Sequence, residues 1–217
     1  MNPLMQEKCR LSFGQCLAKI ISDVFSPLLV PTYGMALSMW VTSLRALPER
    51  SRLLATLLIA MITGLVPLAF IMTMRRMGKI SNNDISDRTQ RPLPLTVAIL
   101  CYVAGAIFLG YAHAPLWLQI FFYGAAAAAA IALLITFWWK ISAHSTAMGG
   151  LLGLLFWFAV GGLADINAMV LITVGIVISG AIGTSRIALR CHTLSQVCAG
   201  FALGFVCTFL PTIIFYL

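Results

Sequence analysis

Charge, and negative charge above all, is scarce in this sequence. Only 9% of the 217 residues are charged, 14 of them Lys or Arg and 6 Asp or Glu, whereas 61% are hydrophobic. A soluble domain carries about 25% charged residues, so this composition excludes a water-soluble globular protein. The net charge of +8 does not indicate a nucleic-acid partner, because the basic residues stand singly or in small groups between apolar runs.

The sequence also lacks metal-binding cysteine spacing and a signal-peptide pattern. Its six cysteines form no CxxC pair, so they predict neither a zinc site nor a disulfide framework. Residues 1–23 have scattered charges and no compact apolar core before a small-residue cleavage site, so we expect no cleavable leader. Their apolar residues form a ragged stripe, which is typical of a helix on the membrane surface. We therefore predict an N-terminal interfacial segment over residues 1–23. The stripe consists of Leu11, Leu17, Ile20, Ile21 and, just beyond, Val24.

Long apolar stretches dominate the rest of the chain. A membrane-spanning helix needs about 20 such residues, and most of the stretches have that length. The first is interrupted by Pro27 and Pro31, which predicts either a kinked span or a re-entrant segment. The sequence thus predicts an all-α, polytopic transmembrane helix bundle with six or seven membrane segments, formed by one domain over residues 24–217. The stretches are 24–44, 53–74, 94–112, 115–138, 147–163, 167–184 and 194–217.

Three polar segments separate these stretches at residues 75–93, 139–146 and 184–196. Two apolar stretches lie between the first and second segments, and two more between the second and third. Because an even number of crossings returns the chain to the same side, we expect all three segments to meet at one face. That face would gather four basic residues, a serine and two histidines: Arg88, Arg91, Lys140, Ser142, His144, Arg186 and His192.

This combination of side chains is suited to phosphate chemistry. Guanidinium groups bind phosphate oxygens through paired hydrogen bonds, and a serine hydroxyl adds a further donor. Two histidines can divide phosphoryl transfer, one attacking phosphorus and the other protonating the leaving oxygen. Basic residues at helix ends often only reach toward lipid headgroups. Two histidines together with several arginines on one face favour a functional site instead.

The three segments resemble the motifs of the type 2 phosphatidic acid phosphatase superfamily. Those motifs are Lys-x6-Arg-Pro, Pro-Ser-Gly-His and Ser-Arg-x5-His-x3-Asp, and the resemblance extends from about residue 75 to the C-terminus. It implies an integral-membrane phosphatase that acts on a lipid phosphomonoester or diphosphate. The matching residues are Arg91-Pro92 in the first motif, Ser142 and His144 in the second, and Ser185-Arg186 followed after five residues by His192 in the third.

The resemblance implies a role for each matched residue. His192 would be the nucleophile that forms a phosphohistidine, and His144 the general acid for the departing alcohol or phosphate. Arg91, Arg186 and Ser142 would hold the phosphoryl oxygens. The resemblance implies neither a metal nor another cofactor, because arginines stabilise the charge of the transition state.

Two positions depart from the family motifs. The family lysine falls at Asp84, and the family aspartate that orients the nucleophile falls at Gln196. Gln196 lies four residues after His192, a spacing that places two side chains on one helix face and permits a hydrogen bond. An amide cannot stabilise an imidazolium as a carboxylate does, and Asp87 is an alternative partner. The candidates to replace the lysine are Arg88, Lys79 and Lys140.

Two other functions stay open on the sequence. Asp84, Asp87 and Arg91-Pro92-Leu93-Pro94 resemble the first aspartate-rich loop of intramembrane prenyltransferases. Those enzymes need a second aspartate-rich loop to bind magnesium diphosphate, and the other loops here hold only Asp165. The second alternative is a catalytically inactive homologue that binds lipid, for which Gln196 is the main support.

Positive charge leaves the orientation in the membrane open. If all seven stretches cross, the side with the site carries eleven Lys or Arg against three, which indicates the cytoplasmic side. If the first stretch does not cross, and the cations of the site are left out of the count, most of the remaining Lys and Arg lie on the side away from the site. This distribution favours a site on the outer side, as the family resemblance implies. We expect an integral protein of a bacterial inner membrane whose partners are the bilayer and a lipid phosphate; the sequence does not indicate an oligomeric state.

Overall fold

The computed structural model describes residues 12–80 and 88–216 as an all-α bundle. A π-helical turn, Met61–Leu65, joins α3 and α4 into one continuous helix. No β-strand occurs in the described ranges, only an isolated bridge between Thr42 and Ala164. The helices are α1 (Phe13–Val24), α2 (Val30–Val41), α3 (Glu49–Ala60), α4 (Val66–Arg76), α5 (Pro92–Tyr111), α6 (Leu116–Thr136), α7 (Ala143–Val160), α8 (Ala168–Ala188) and α9 (Leu194–Tyr216).

Six helices are long and apolar enough to cross a membrane. They are the continuous helix Glu49–Arg76 and the helices α5 to α9. The shortest, α7, has 18 residues and is therefore roughly 27 Å long, close to the thickness of the hydrocarbon layer. Large apolar side chains such as Leu57, Leu100 and Val177 are exposed on these helices, as expected for surfaces in contact with lipid. The prediction of a polytopic transmembrane helix bundle is confirmed, and the chain is an integral membrane protein.

The segment 24–44 contains a short helix rather than a seventh helix of membrane length. Its helix α2 has 12 residues and spans only about 18 Å. Even so, the chain passes from one end of the bundle to the other here. Before α2, Ser22 contacts Arg186 in the last turn of α8. After α2, the Val41 carbonyl accepts a hydrogen bond of 2.8 Å from Asp165, ahead of the start of α8. Residues 24–44 thus connect the two ends through a turn and a short helix, which corresponds to the kinked alternative.

Helix α1 is amphipathic and packs against α8. A capping box begins it: the Ser12 hydroxyl accepts from the Gln15 backbone N–H at 3.3 Å, and the Gln15 amide oxygen accepts from the Ser12 N–H at 3.0 Å. Within α1, only Ala18 and Ser22 are buried. The opposite side exposes four large apolar side chains, Phe13, Leu17, Ile20 and Val24. An interfacial role for residues 1–23 stays a prediction, and residues 1–11 lie outside the described ranges.

The most extensive helix pair, α7 and α9, positions the polar end of the bundle. Glycines allow the two backbones to touch. A Cβ atom on Gly204 would overlap the Thr146 carbonyl oxygen, and one on Gly200 would lie 2.8 Å from the Ser142 carbonyl oxygen. The first turn of α7, which carries His144, is thereby held against the first turns of α9, which follow His192.

Candidate functional site

The three polar segments meet at one end of the bundle, as predicted. Arg91 Nη1 donates a hydrogen bond of 2.9 Å to the Ile141 carbonyl and so links the first segment to the second. The Ser142 backbone N–H donates to the Gln196 carbonyl at 3.4 Å and links the second segment to the third. The Arg91 side chain is buried, although it carries a charge.

The end of α8 brings Arg186 and His192 together. Arg186 lies in the last turn of α8, where a cation is favourable for the helix dipole. Arg190 then adopts a left-handed backbone conformation with φ of 53° and reverses the chain. As a result, the N–H groups of Cys191 and His192 donate to the Arg186 carbonyl at 3.0 and 3.3 Å. Helix α9 begins at Leu194, so His192 lies just before this helix rather than on it.

His192 and Gln196 form the hydrogen bond that their spacing suggested. The His192 Nδ1 atom lies 3.0 Å from Gln196 Oε1. The Thr193 backbone N–H donates to the same oxygen at 3.2 Å. Because a backbone N–H can only donate, the shared atom is the amide oxygen, and Nδ1 of His192 must carry the hydrogen. The lone pair of the imidazole is therefore on Nε2.

The environment of His192 keeps its imidazole uncharged at neutral pH. Burial lowers the pKa of His192 to about 4; the hydrogen bond to Gln196 opposes this shift, and the positive charges of Arg91, Lys140 and Arg186 add to it. An imidazole is a nucleophile only in its neutral form. Lys140, which is half-buried, thus acts on His192 through its charge.

A serine on α1 contacts two of the predicted site residues. Ser22 Oγ accepts a hydrogen bond of 2.6 Å from Arg186 Nη1. The Ser22 backbone carbonyl lies 3.2 Å from His144 Nε2, and since a carbonyl only accepts, Nε2 carries a hydrogen in this contact. Sequence reasoning did not identify Ser22, because it precedes His144 by 122 positions and Arg186 by 164 and belongs to no motif.

Ser142 caps α7 and is completely buried. Its hydroxyl oxygen accepts from the Ser145 backbone N–H at 3.3 Å and from the Ser145 hydroxyl at 2.9 Å. It does not line the cavity described below. In this arrangement Ser142 fixes the start of the helix that carries His144. Asp84, Asp87 and the Arg88 side chain lie outside the described part of the chain.

A cavity of about 540 Å³ extends from this cluster into the bundle. Arg91, His144, Arg186 and His192 line its polar end. The lining on α6 runs from Thr136 to Phe121, roughly 22 Å along the helix axis. Most of the remaining wall is apolar and includes Leu28, Leu65, Leu68, Ile71 and Leu95. The volume is within the usual range for a ligand site.

Among the described residues, Arg186 is a buried cation without a carboxylate partner. Its side chain is 2% exposed, and its Nε atom has no hydrogen-bond partner in that part of the chain. The ion pairs found in the described ranges, Lys19 with Asp23 and Arg45 with Asp165, do not involve it. A buried charge is costly unless it is paired. One carboxylate, Asp23, also lines the cavity, but it is paired with Lys19. The site therefore has the electrostatic character of a binding site for an anion.

Metal ligands are not grouped in the described ranges, where no three His, Cys, Asp or Glu side chains lie together. Asp165 pairs with Arg45 at 2.9 Å, at the end of the bundle away from the histidines. No model of a known protein family matches the chain, and no curated protein or solved structure matches it either. Fold and site define a class: a polytopic helical membrane protein with a cationic, histidine-containing cluster at one end of an apolar cavity.

Proposed function

We propose that this protein is a lipid phosphate phosphatase that resembles the type 2 phosphatidic acid phosphatases. The observation that carries the proposal is the buried guanidinium of Arg186, which has no carboxylate partner within residues 12–80 and 88–216 and lies beside two histidines at the end of an apolar cavity. A phosphate group supplies the missing anion, and a hydrocarbon chain matches the apolar wall. The substrate is thus a phosphomonoester or diphosphate of a lipid.

The geometry supports His192 as the nucleophile. Its Nε2 lone pair attacks phosphorus, and the bond between phosphorus and the leaving oxygen breaks as the bond between nitrogen and phosphorus forms. The Nδ1 hydrogen stays on His192 throughout and is donated to Gln196 Oε1. The product of this step is a phosphohistidine and a free lipid alcohol or lipid phosphate.

His144 supports both steps as a proton carrier. The negative charge of the bound phosphate favours its imidazolium form. With Nε2–H directed at the Ser22 carbonyl, the Nδ1 proton passes to the leaving oxygen. A water molecule then attacks phosphorus and returns a proton to His144 Nδ1, the bond between nitrogen and phosphorus breaks, and inorganic phosphate leaves. Both histidines return to their starting state.

Several positive groups stabilise the phosphoryl oxygens in this scheme. Arg91 and Arg186 line the cavity, and α7 directs its N-terminus to the same place, where the helix dipole favours an anion. Lys140 adds positive potential from its half-buried position. Charge stabilisation of this kind is commonly the largest contribution to such a reaction.

The two alternatives find less support. A prenyltransferase needs paired aspartate-rich loops, and Asp165 is bound to Arg45 at the other end of the bundle. If the nucleophile were misplaced, the chain would fit an inactive homologue better. Instead, the Gln196 amide oxygen holds His192 in the tautomer that attack requires.

The proposal is tested by measuring phosphate release from purified protein. The substrates are phosphatidate, phosphatidylglycerol phosphate, a polyprenyl diphosphate and a phosphorylated lipid A-like glycolipid, each presented in mixed micelles. We expect release from at least one of them, and loss of that activity in His192→Ala. The proposal fails if the parent protein releases phosphate from none, or if His192→Ala retains the parental rate.

A further inference from the structure

Ser22 on α1 contacts two helices of the candidate site, α7 and α8. Its hydroxyl oxygen accepts from Arg186 Nη1 at 2.6 Å, and its carbonyl oxygen lies 3.2 Å from His144 Nε2. Ser22 is 1% exposed and lines the cavity. We infer that Ser22 is a positioning residue that orients both Arg186 and His144, so that α1 completes the site. This inference rests on the proposed phosphatase function.

The contact with Arg186 determines which edge of the guanidinium faces the anion. Nη1 is engaged by Ser22, whereas the buried Nε has no partner among the described residues. The edge formed by Nε and Nη2 is the one that binds two oxygens of a phosphate side-on. Ser22 therefore fixes the plane of the guanidinium and, with it, the direction in which this edge points.

The contact with His144 determines which nitrogen exchanges protons with the substrate. Directing Nε2–H at a backbone carbonyl fixes both the tautomer and the orientation of an imidazole. Nδ1 is then the atom left for the reaction. Because this contact uses the backbone of Ser22, it persists when the side chain is replaced, and a substitution at residue 22 tests the Arg186 contact separately.

The position of Ser22 depends on how α1 is held. One side of α1 packs against α8, and the Tyr33 hydroxyl donates to the Val24 carbonyl at 2.8 Å, which ties the end of α1 to α2. The other side exposes Phe13, Leu17 and Ile20, a surface suited to the membrane interface.

The inference is tested with Ser22→Ala in the full-length protein, with Ser38→Ala as the matched control. Ser38 is equally buried, but its hydroxyl donates only to the Gly34 carbonyl within its own helix. We expect Ser22→Ala to lower kcat roughly 10- to 100-fold, as for loss of one hydrogen bond to a charged group. KM should change little, since the contacts of the lipid chain are retained. Ser22→Thr keeps the hydroxyl and should recover part of the rate.

A double-mutant cycle distinguishes positioning from a general loss of structure. If Ser22 acts through Arg186, Ser22→Ala should lower the rate of an Arg186→Lys protein by much less than it lowers that of the parent. If Ser22→Ala lowers the rate by the same factor in the Arg186→Lys protein as in the parent, the two substitutions act independently and the inference is overturned. So would a parental rate in Ser22→Ala, or a loss of rate that only follows the loss of thermal stability.

Binding of orthovanadate, which can adopt the five-coordinate geometry of the phosphoryl-transfer transition state, separates this inference from the proposed function. We expect Ser22→Ala to weaken vanadate binding about 10-fold, measured by calorimetry, and Ser38→Ala to leave it unchanged. A parent that binds vanadate through Ser22 but hydrolyses none of the lipids would overturn the phosphatase proposal and retain the positioning role. Equal vanadate affinity in the parent and Ser22→Ala, or no binding by the parent, would overturn the positioning role.

Discussion

The Nδ1 atom of His192 lies 3.0 Å from Oε1 of Gln196, a residue that stands where the phosphatase motif it resembles has an aspartate. The amide oxygen can fix the tautomer of the imidazole, because it accepts the Nδ1 hydrogen. It cannot neutralise the positive charge that would develop on the imidazole in the proposed attack of Nε2 on phosphorus. Gln196 can therefore orient the imidazole of His192 but cannot stabilise its positive charge.

Replacing Gln196 tests this distinction. Gln196→Glu keeps the chain length and places a carboxylate oxygen on His192 Nδ1, so we expect an increase in kcat of up to about 10-fold at pH 8. Gln196→Asp is shorter by one methylene and should increase the rate less. Gln196→Ala removes the acceptor and should lower the rate. Steady-state phosphate release measures all three, and equal rates in the Glu and Ala variants would contradict this account.

The pH dependence of the reaction should report the low pKa of His192. An ordinary histidine loses its proton near pH 6.5, whereas burial lowers the pKa of His192 to about 4. We expect kcat/KM to be retained down to about pH 5. Lys140→Gln removes one of the charges that lower this pKa and should move the acid limb to higher pH. If kcat/KM of the parent already falls near pH 6.5, and Lys140→Gln does not shift this fall, the low pKa of His192 is contradicted.

The same shift has a consequence for stability. Between pH 6.5 and about 4 the unfolded chain binds a proton at His192 that the folded protein does not bind. Stability from this group is therefore complete above pH 6.5 and falls as the pH is lowered to about 4. Thermal unfolding of the parent and of His192→Gln at several pH values in this range measures the loss of stability on acidification. This loss should be smaller in His192→Gln than in the parent.

Some of this site follows from sequence and some does not. Counting crossings predicted that Arg91, His144 and His192 would meet, because a helix of membrane length must end on the far side. The contact of His192 with Gln196 followed from their spacing, although His192 precedes α9. The contacts of Ser22 could not be predicted, since they depend on the packing of α1 against α8.

The crossing of residues 24–44 and the role of Ser142 needed the structure for a different reason. Two prolines left a kinked span and a re-entrant segment equally consistent with the sequence. The hydrogen bond from Asp165 to the Val41 carbonyl distinguishes them. For Ser142, a motif match predicted a phosphate ligand, and this stays a prediction. The structure adds that the Ser142 hydroxyl accepts from Ser145 and caps α7, a contact that the motif does not indicate.

The two histidines should fail in different ways when they are replaced. His192→Ala removes the nucleophile and should abolish phosphate release. His144→Ala removes the proton donor and should lower kcat about 100- to 10,000-fold, with a smaller effect on binding. Single-turnover measurements separate the two effects. Near-parental rates in both variants would contradict the assigned roles.

Chelation provides a separate test of the mechanism. Arginines rather than a metal stabilise the phosphoryl oxygens in the proposed reaction, so EDTA should leave phosphate release unchanged. A strict requirement for magnesium would instead favour the prenyltransferase-like alternative.

The wall of the cavity should determine which lipids are accepted. Ala128 on α6 lines the cavity, whereas the neighbouring Ala127 is exposed. Ala128→Leu should raise KM for a long-chain lipid phosphate about 10-fold or more, because the added side chain occupies space that the chain requires. Ala127→Leu is the control and should have little effect. Activity on p-nitrophenyl phosphate, which has no chain, should be the same in both variants, and a parallel loss on that substrate would indicate a general disturbance.

The contact between α7 and α9 should govern stability and rate together. A Cβ atom on Gly204 would overlap the Thr146 carbonyl oxygen and lie 2.7 Å from the Gly150 backbone nitrogen. Both neighbours are helix backbone and cannot rotate away, so Gly204→Ala must separate the helices. We expect a loss of roughly 1 to 3 kcal/mol in the free energy of unfolding. Because α7 carries His144 and α9 carries Gln196, the same separation should lower the rate of phosphate release.

Gly180→Ala on α8 is the matched control for this substitution. A Cβ atom there meets nothing within 4 Å, and alanine favours the helix by up to about 1 kcal/mol relative to glycine. Gly180→Ala should therefore be neutral or slightly stabilising in thermal unfolding in detergent. If Gly204→Ala matches it in both stability and rate, the backbones of α7 and α9 are not in contact, and this packing does not hold the two halves of the site together.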